Sequence, residues 1–217
     1  MAVGDGEAER LGVLGGSFNP IHSAHLGIAR QAMAAFHLDQ VLFVPAGNPP
    51  HKPDGLADKW DRLRMVQLAV AGQPGFVVCD LEVRRQGVTY TVDTLRGLRA
   101  LYPGARLWYI IGGDTLLDMH TWRQPRQVFA LCSLIVCQRP GWRREELEAC
   151  VKTLTTMGAD IHLLDAPGVD ISATMVRQRW RRGDLPPGWV PPQVAAYMRA
   201  HCLYTEASPG GMPLPHG

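Results

Sequence analysis

The stretch Gly15-Gly16-Ser17-Phe18-Asn19-Pro20-Ile21-His22-Ser23-Ala24-His25 constrains this chain more than any other. The apolar residues Leu11, Val13 and Leu14 lead into it, and Leu26, Ala29, Met33 and Phe36 follow at helical spacing. That order predicts a strand, a tight glycine turn and a helix. Paired glycines let the backbone turn sharply and approach a ligand with no Cβ in the way. The helix start beyond them offers unpaired N–H groups and the positive end of a dipole, which suit a phosphate. His22 and His25 lie three residues apart and share one face of the first helical turn. Glycine-rich turns and histidine pairs also occur as plain structural features, so the rest of the chain has to decide. A zinc protease is excluded by the missing glutamate of H-E-x-x-H, and no Cys-x-x-Cys is present. The dehydrogenase fingerprint G-x-G-x-x-G is absent as well.

Downstream, short apolar runs alternate with helix-periodic segments. Val41–Val44, Phe76–Cys79, Leu107–Ile111, Leu134–Cys137 and Ile161–Leu164 read as strands, with Leu81 and Val83 extending the second of these. Helices are expected through Trp60, Leu63, Val66 and Val70, and through Val92, Leu95 and Leu98 behind a capping Thr91. Leu147, Val151 and Leu154 mark another. Two more close the chain, one from near Ser172 to a C-terminal Gly183 and one from Pro191-Pro192 through Tyr197. Such alternation predicts right-handed βαβ units: an α/β, Rossmann-like, doubly wound parallel sheet with helices on both faces and a small C-terminal helical part. A single domain over residues 10–205 is expected, with flexible tails at 1–9 and 206–217. In such sheets ligands bind at the carboxyl ends of the strands. The loops at Gly15–His25, Pro45–Lys52 and Gly112–Asp114 all fall there.

Composition narrows the function. The 217 residues carry a net charge of only +2, which gives no support for nucleic-acid or membrane-surface partners. Cys79, Cys132, Cys137, Cys150 and Cys202 are odd in number and widely spaced, as expected of reduced core thiols in a cytoplasmic protein. No signal peptide and no run long enough to span a bilayer are read from the sequence.

The opening stretch resembles the G-G-[ST]-F-[DN]-P-[IV]-H-x-G-H signature of the nucleotidylyltransferase superfamily, with Ala24 where that signature has glycine. Ile171-Ser172-Ala173-Thr174-Met175-Val176-Arg177 resembles the superfamily's I-S-[SA]-T-x-x-R motif. Pro49-Pro50-His51-Lys52, Thr89-Tyr90-Thr91 with Thr94-Leu95, and Ile111-Gly112-Gly113-Asp114 followed by Trp122 are similar to elements of bacterial nicotinate-nucleotide adenylyltransferases. Ala46 stands where some of those enzymes have asparagine. Together the motifs run from Gly15 to about Tyr204 in the family's order. Phosphopantetheine adenylyltransferases are the nearest alternative, but they carry threonine at the position of His22. A nucleotide-binding regulator without turnover is the alternative from another class.

The resemblance implies adenylyl transfer from ATP to nicotinate mononucleotide, giving nicotinate adenine dinucleotide and pyrophosphate. It implies catalytic roles for His22, His25 and Arg177. It implies ATP contacts at Gly15, Gly16, Ser17, Phe18, Gly112, Asp114, Ile171, Ser172 and Thr174. It implies mononucleotide contacts at His51, Lys52, Thr89, Tyr90 and Trp122. Mg²⁺ is expected to arrive with ATP, with no metal site of the protein's own.

Overall fold

The central strands of the sheet carry two alternating apolar faces, and the fold follows from covering both. The computed structural model describes residues 8–49, 55–138, 143–165 and 171–205. The strands are β1 (Arg10–Gly16), β2 (Gln40–Pro45), β3 (Phe76–Val78), β4 (Arg106–Gly112), β5 (Ser133–Gln138) and β6 (Ile161–Asp165). They form one six-stranded sheet in the order β3-β2-β1-β4-β5-β6, with every pairing parallel. Parallel strands need crossovers, and helices supply them.

Side chains on successive strand residues point to opposite faces. Leu14, Val41, Phe43, Trp108, Ile110 and Ile135 therefore pack on one side. Helices α1 (Ser23–Ala35), α2 (Lys59–Val70), α8 (Ala173–Arg182) and α9 (Pro192–Ala200) cover that side. Leu11, Val13, Leu42, Val44, Leu107, Tyr109, Leu134 and Val136 face the other way. There α4 (Thr91–Leu101), α5 (Gly113–Asp118), α6 (Pro125–Leu131) and α7 (Arg144–Thr156) bury Leu95, Leu116, Phe129 and Leu147. Burial on both faces is why the strands read as continuous apolar runs rather than as alternation.

The expected α/β class, the two-sided covering and the C-terminal helices are all present. Ser172 caps α8 by accepting from the Met175 N–H at 3.2 Å, and Gly183 ends that helix at φ 73°. Pro192 opens α9. Four details differ from the sequence reading. Leu81 and Val83 do not extend β3; they belong to a four-residue helix, α3 (Leu81–Arg84). β3 is an edge strand paired over only three residues, and Leu81 turns inward to fill the space beside Gly97, where a Cβ would lie 2.7 Å from it. Thr91 is not a cap: Tyr90 holds that position in extended geometry, and Thr91 is the first residue of the helix and lines the cleft described below. Trp60 points to solvent while Arg62, Leu63, Met65 and Val66 form the buried face of α2. Among the cysteines, Cys132 and Cys137 are buried, Cys79 and Cys150 half-buried, and Cys202 is exposed rather than core.

Candidate functional site

The strand order reverses between β1 and β4, because β1 pairs with β2 on one side and β4 on the other. At such a switch point the two loops leave the sheet in opposite directions and open a crevice. A cleft of about 550 Å³ lies there, within the usual range for small-molecule sites. Gly15, Gly16, Ser17 and His25 form one wall. Ala46 and Pro49 come from the segment after β2, and Glu82, Thr89 and Thr91 from around α3 and the start of α4. Tyr109, Ile111 and Gly112 of β4, with Thr115 and Trp122 beyond it, complete the wall.

The glycines have local reasons. A Cβ on Gly15 would come 2.8 Å from the Tyr109 hydroxyl. One on Gly47 would meet the Glu82 carbonyl. Phe18 takes the left-handed region at φ 45°, and a cis peptide joins Asn19 to Pro20. The Phe18 ring is fully buried, sitting edge-on to His25 at 5.0 Å between centroids. Its side chain is thus a floor beneath the histidine. Ala24, where the superfamily signature has glycine, packs its methyl against the core rather than lining the cleft.

His22 is the N-cap of α1 and His25 its third residue. Their rings stack with centroids 3.8 Å apart. The His22 backbone N–H donates to His25 Nδ1 at 3.2 Å. A backbone amide can only donate, so Nδ1 accepts, and a neutral His25 carries its proton on Nε2. Burial pulls the His22 pKa down to about 4. The His25 pKa also lies well below its usual value, through burial first and then the neighbouring His22. Both imidazoles are neutral at pH 7 in the unliganded chain. His25 lines the cleft, whereas His22 is buried beneath it, and among the described residues its Nδ1 has no hydrogen-bond partner.

Arg177 lies in α8 and reaches across 158 residues of sequence. Its Nη1 donates to the Asn19 carbonyl at 2.8 Å, and its Nη2 to the Thr174 hydroxyl at 3.2 Å. Among the described residues it forms no ion pair. Ile171 is buried at the start of this segment. The motif therefore meets the glycine turn from behind and at its end, without lining the cleft. Asp114 is exposed in the first turn of α5. Tyr90 also stands off the cleft wall, with the Arg123 guanidinium 4.6 Å over its ring. Trp122 lines the cleft and meets Tyr109 edge-on at 6.2 Å. The expected His51 and Lys52 lie outside the described residues.

Sequence reasoning passed over Glu82 and Tyr109. Glu82 lines the cleft, and its carboxylate accepts from the Thr94 hydroxyl at 2.8 Å. Tyr109 is the one hydroxyl in the apolar run of β4, which was its only signal. Burial pushes its pKa above the ordinary phenol value, so it stays a neutral phenol.

Comparison with known proteins agrees with this architecture. The cytidylyltransferase-like family model matches residues 13–179. A probable nicotinate-nucleotide adenylyltransferase of Synechococcus sp. (strain JA-3-3Ab) is 43% identical over 95% of this chain and 100% of the relative. The one from Citrifermentans bemidjiense is 42% identical over 91% and 99%. Among solved structures, Plasmodium falciparum nicotinic acid mononucleotide adenylyltransferase complexed with NaAD superposes with a TM-score of 0.75. That match covers 90% of this chain and 97% of the other, at 19% identity, so it speaks for the fold. With the glycine turn, the stacked histidines and the switch-point cleft, these matches show that the chain belongs to the cytidylyltransferase-like family and, within it, to the nicotinate-nucleotide adenylyltransferases.

Proposed function

We propose that the switch-point cleft joins nicotinate mononucleotide to the α-phosphorus of ATP, forming nicotinate adenine dinucleotide and releasing pyrophosphate. The observation that carries this reading is convergence: the glycine turn with His25 and the Thr89–Trp122 wall face one cleft of about 550 Å³. One wall has the amides an anion needs, and the other has the aromatic surface a pyridine ring needs. The names of the relatives carry the same acceptor, a nicotinate nucleotide, and the same transferred adenylyl group.

The nucleophile is the mononucleotide's own phosphate, already ionised at neutral pH. It attacks the α-phosphorus in line, and the bond to the bridging oxygen of pyrophosphate breaks. No general base is required, because no proton has to leave the nucleophile. The obstacles are the approach of two anions and the charge spread over the transferring group. Positioning and preorganised donors are then the tools. The Nε2–H of His25 donates to the α-phosphoryl group or to the departing bridging oxygen. His22 stacks beneath, and the triphosphate's negative charge favours protonation of the pair once ATP is bound. Amides at Gly15, Gly16, Ser17 and Phe18 cradle phosphate oxygens. Arg177 supplies a planar, permanently charged fork for the leaving pyrophosphate, with Ile171, Ser172 and Thr174 shaping the helix start. Gly112 and Asp114 serve the adenosine side, Asp114 through ribose hydroxyls. Thr89, Tyr90, Trp122, His51 and Lys52 serve the mononucleotide.

Among the described residues no three His, Cys, Asp or Glu side chains cluster to hold a metal. The triphosphate, itself a chelator of hard divalent cations, would bring Mg²⁺ with it, held by phosphates and water. Half-buried and buried thiols at Cys79, Cys132, Cys137 and Cys150 support work in the reducing cytoplasm. No helix among the described residues is long and apolar enough to cross a membrane.

The test is direct. The protein is incubated with ATP-Mg²⁺ and either nicotinate mononucleotide, nicotinamide mononucleotide or phosphopantetheine, with pyrophosphate and the adenylylated product as readouts. Dinucleotide from the nicotinate substrate is expected. Turnover on phosphopantetheine alone would replace this reading with its nearest rival.

A further inference from the structure

One charged residue outside the motifs is more deeply buried than any described ionisable member of them. Arg62, on the inner face of α2, is 1% exposed and forms no ion pair among the described residues. A buried cation without a carboxylate is costly, and an apolar residue of similar volume would serve packing better. What Arg62 has instead is three carbonyls from three separate segments. Its Nη1 donates to Ser17 at 2.8 Å, its Nη2 to Gly47 at 3.1 Å and its Nε to Ala57 at 3.0 Å.

Two of those carbonyls belong to segments that border the cleft from different sides. Ser17 lies in the glycine turn, and Gly47 sits between the lining residues Ala46 and Pro49. A trans peptide is planar, with its C=O and N–H antiparallel. Drawing the Ser17 carbonyl onto Arg62 therefore turns the Phe18 N–H away from it. Drawing in the Gly47 carbonyl does the same for the Asn48 N–H. The third bond extends the anchor. The Ala57 N–H donates to Asn19 Oδ1, which also accepts from the Tyr204 hydroxyl at 2.7 Å, while Asn19 Nδ2 donates to Gly55 at 3.1 Å. The Asn19 carbonyl is the one Arg177 holds.

We infer that Arg62 is a positioning residue for the transfer: it sets the spacing and amide orientation of the glycine turn and of the segment after β2, two borders of the cleft, so that the two anions bound there meet in line. The inference rests on the function proposed above. In-line attack needs the reacting atoms about 3–3.5 Å apart, and a displacement of about 1 Å costs about 100-fold in rate. A lysine keeps the charge but, as a point donor on a flexible stem, cannot bond three diverging carbonyls in one plane.

The experiment compares the full chain with Arg62→Lys and Arg62→Met. It measures kcat at saturation of both substrates, Mg-ATP affinity by equilibrium titration, and thermal melting, with every assay well below each variant's Tm. Arg62→Lys is expected to melt cooperatively, to lose about 10- to 100-fold in kcat, and to bind Mg-ATP about tenfold more weakly. Arg62→Met is expected to lose more kcat than Arg62→Lys. Parental kcat and Mg-ATP affinity in Arg62→Lys would overturn the inference. So would failure of both variants to fold, which would make Arg62 a residue of the core alone. A parental chain that binds Mg-ATP but does not adenylylate nicotinate mononucleotide would overturn the functional reading only. The Mg-ATP titration would then still decide on Arg62.

Discussion

The two ends of the sheet treat their charges differently. At the amino end, charged side chains satisfy one another. Asp160 accepts from the Ser133 hydroxyl at 2.6 Å and pairs with His162 at 3.0 Å and Arg106 at 3.4 Å. Arg10 and Arg106 lie over the Trp108 ring at 4.9 and 4.8 Å. At the carboxyl end, Arg62 and Arg177 donate to carbonyls and a hydroxyl, and the two stacked imidazoles are neutral. Among the described residues Glu82 is the one acidic residue lining the cleft, and its carboxylate is engaged with Thr94. An edge that balances its own charge contributes stability. An edge whose cations rest on backbone dipoles leaves their charge unneutralised toward an anionic ligand, with Arg62 acting from behind the turn and Arg177 at its end.

The largest expected effect is at the histidines. His25→Ala should lower kcat by about 10²–10³, or about 3–4 kcal/mol, while weakening ATP binding far less. His22→Ala should act similarly and non-additively with it, because both serve one phosphoryl group. Steady-state kinetics of the two single variants and the double variant measure this. An unchanged kcat in both single variants would make the pair part of the scaffold, like the amino edge.

Specificity comes next. Nicotinate mononucleotide should be preferred to the amide by about 10- to 100-fold in kcat/KM. A carboxamide turned toward backbone donors leaves a buried polar group unpaired, at about 1–3 kcal/mol. Trp122→Ala should raise the mononucleotide KM and spare that of ATP. Equal kcat/KM values for the two mononucleotides would remove the specificity claim and leave adenylyl transfer standing.

Arg177→Lys keeps the charge but loses the fork. The ATP KM should rise about tenfold, as loss of one charge-assisted hydrogen bond would require, with the mononucleotide KM little altered. The opposite pattern would mean that the two substrates are assigned to the wrong walls.

Acid should separate the two edges. His22 has a folded pKa of about 4 against about 6.5 unfolded. Below the unfolded value the unfolded chain binds the extra proton, so stability falls. The contribution of the neutral ring is complete above about pH 6.5 and is lost as pH drops toward about 4. His25 acts in the same direction. Melting of the unliganded protein from pH 8 to 4 should show this slope, and His22→Ala should flatten it. Asp160 works lower. Its carboxyl is held down first by the Ser133 hydroxyl, then by His162 and Arg106. Its contribution is present above the ordinary carboxylate pKa and is lost as pH falls through the folded value. The group is half-exposed, so Asp160→Asn should cost below about 1 kcal/mol at pH 7 and leave kcat unchanged. A fall in kcat there would tie the two edges together.

Much of this was legible in the sequence because it is local. The strand–turn–helix of β1 and α1, the contact between His22 and His25, the Ser172 cap and the Gly183 stop all depend on residues within a few positions of each other. The apolar runs of β2, β4 and β5 were equally plain, since burial on both faces leaves no room for polar residues. The short helices α3, α5 and α6 were not, because one or two turns carry too little periodicity to read.

What the sequence by itself determined is the covalent order of strands, turns and helices, together with the motifs that place the chain in its family. What only the tertiary structure decided is which side chains, from those loops and from beyond them, line the cleft and which stand behind it. Strand order puts β1 beside β4, although more than ninety residues separate Leu11 from its partner Leu107. Glu82 and Tyr109 enter the cleft, and Arg62 and Tyr204 close in behind the turn, through contacts 45 and 185 residues apart. Local periodicity records which way a side chain faces on its own element. It carries no record of which distant backbone carbonyl that side chain will meet, because that is settled by packing two apolar sheet faces under their helices.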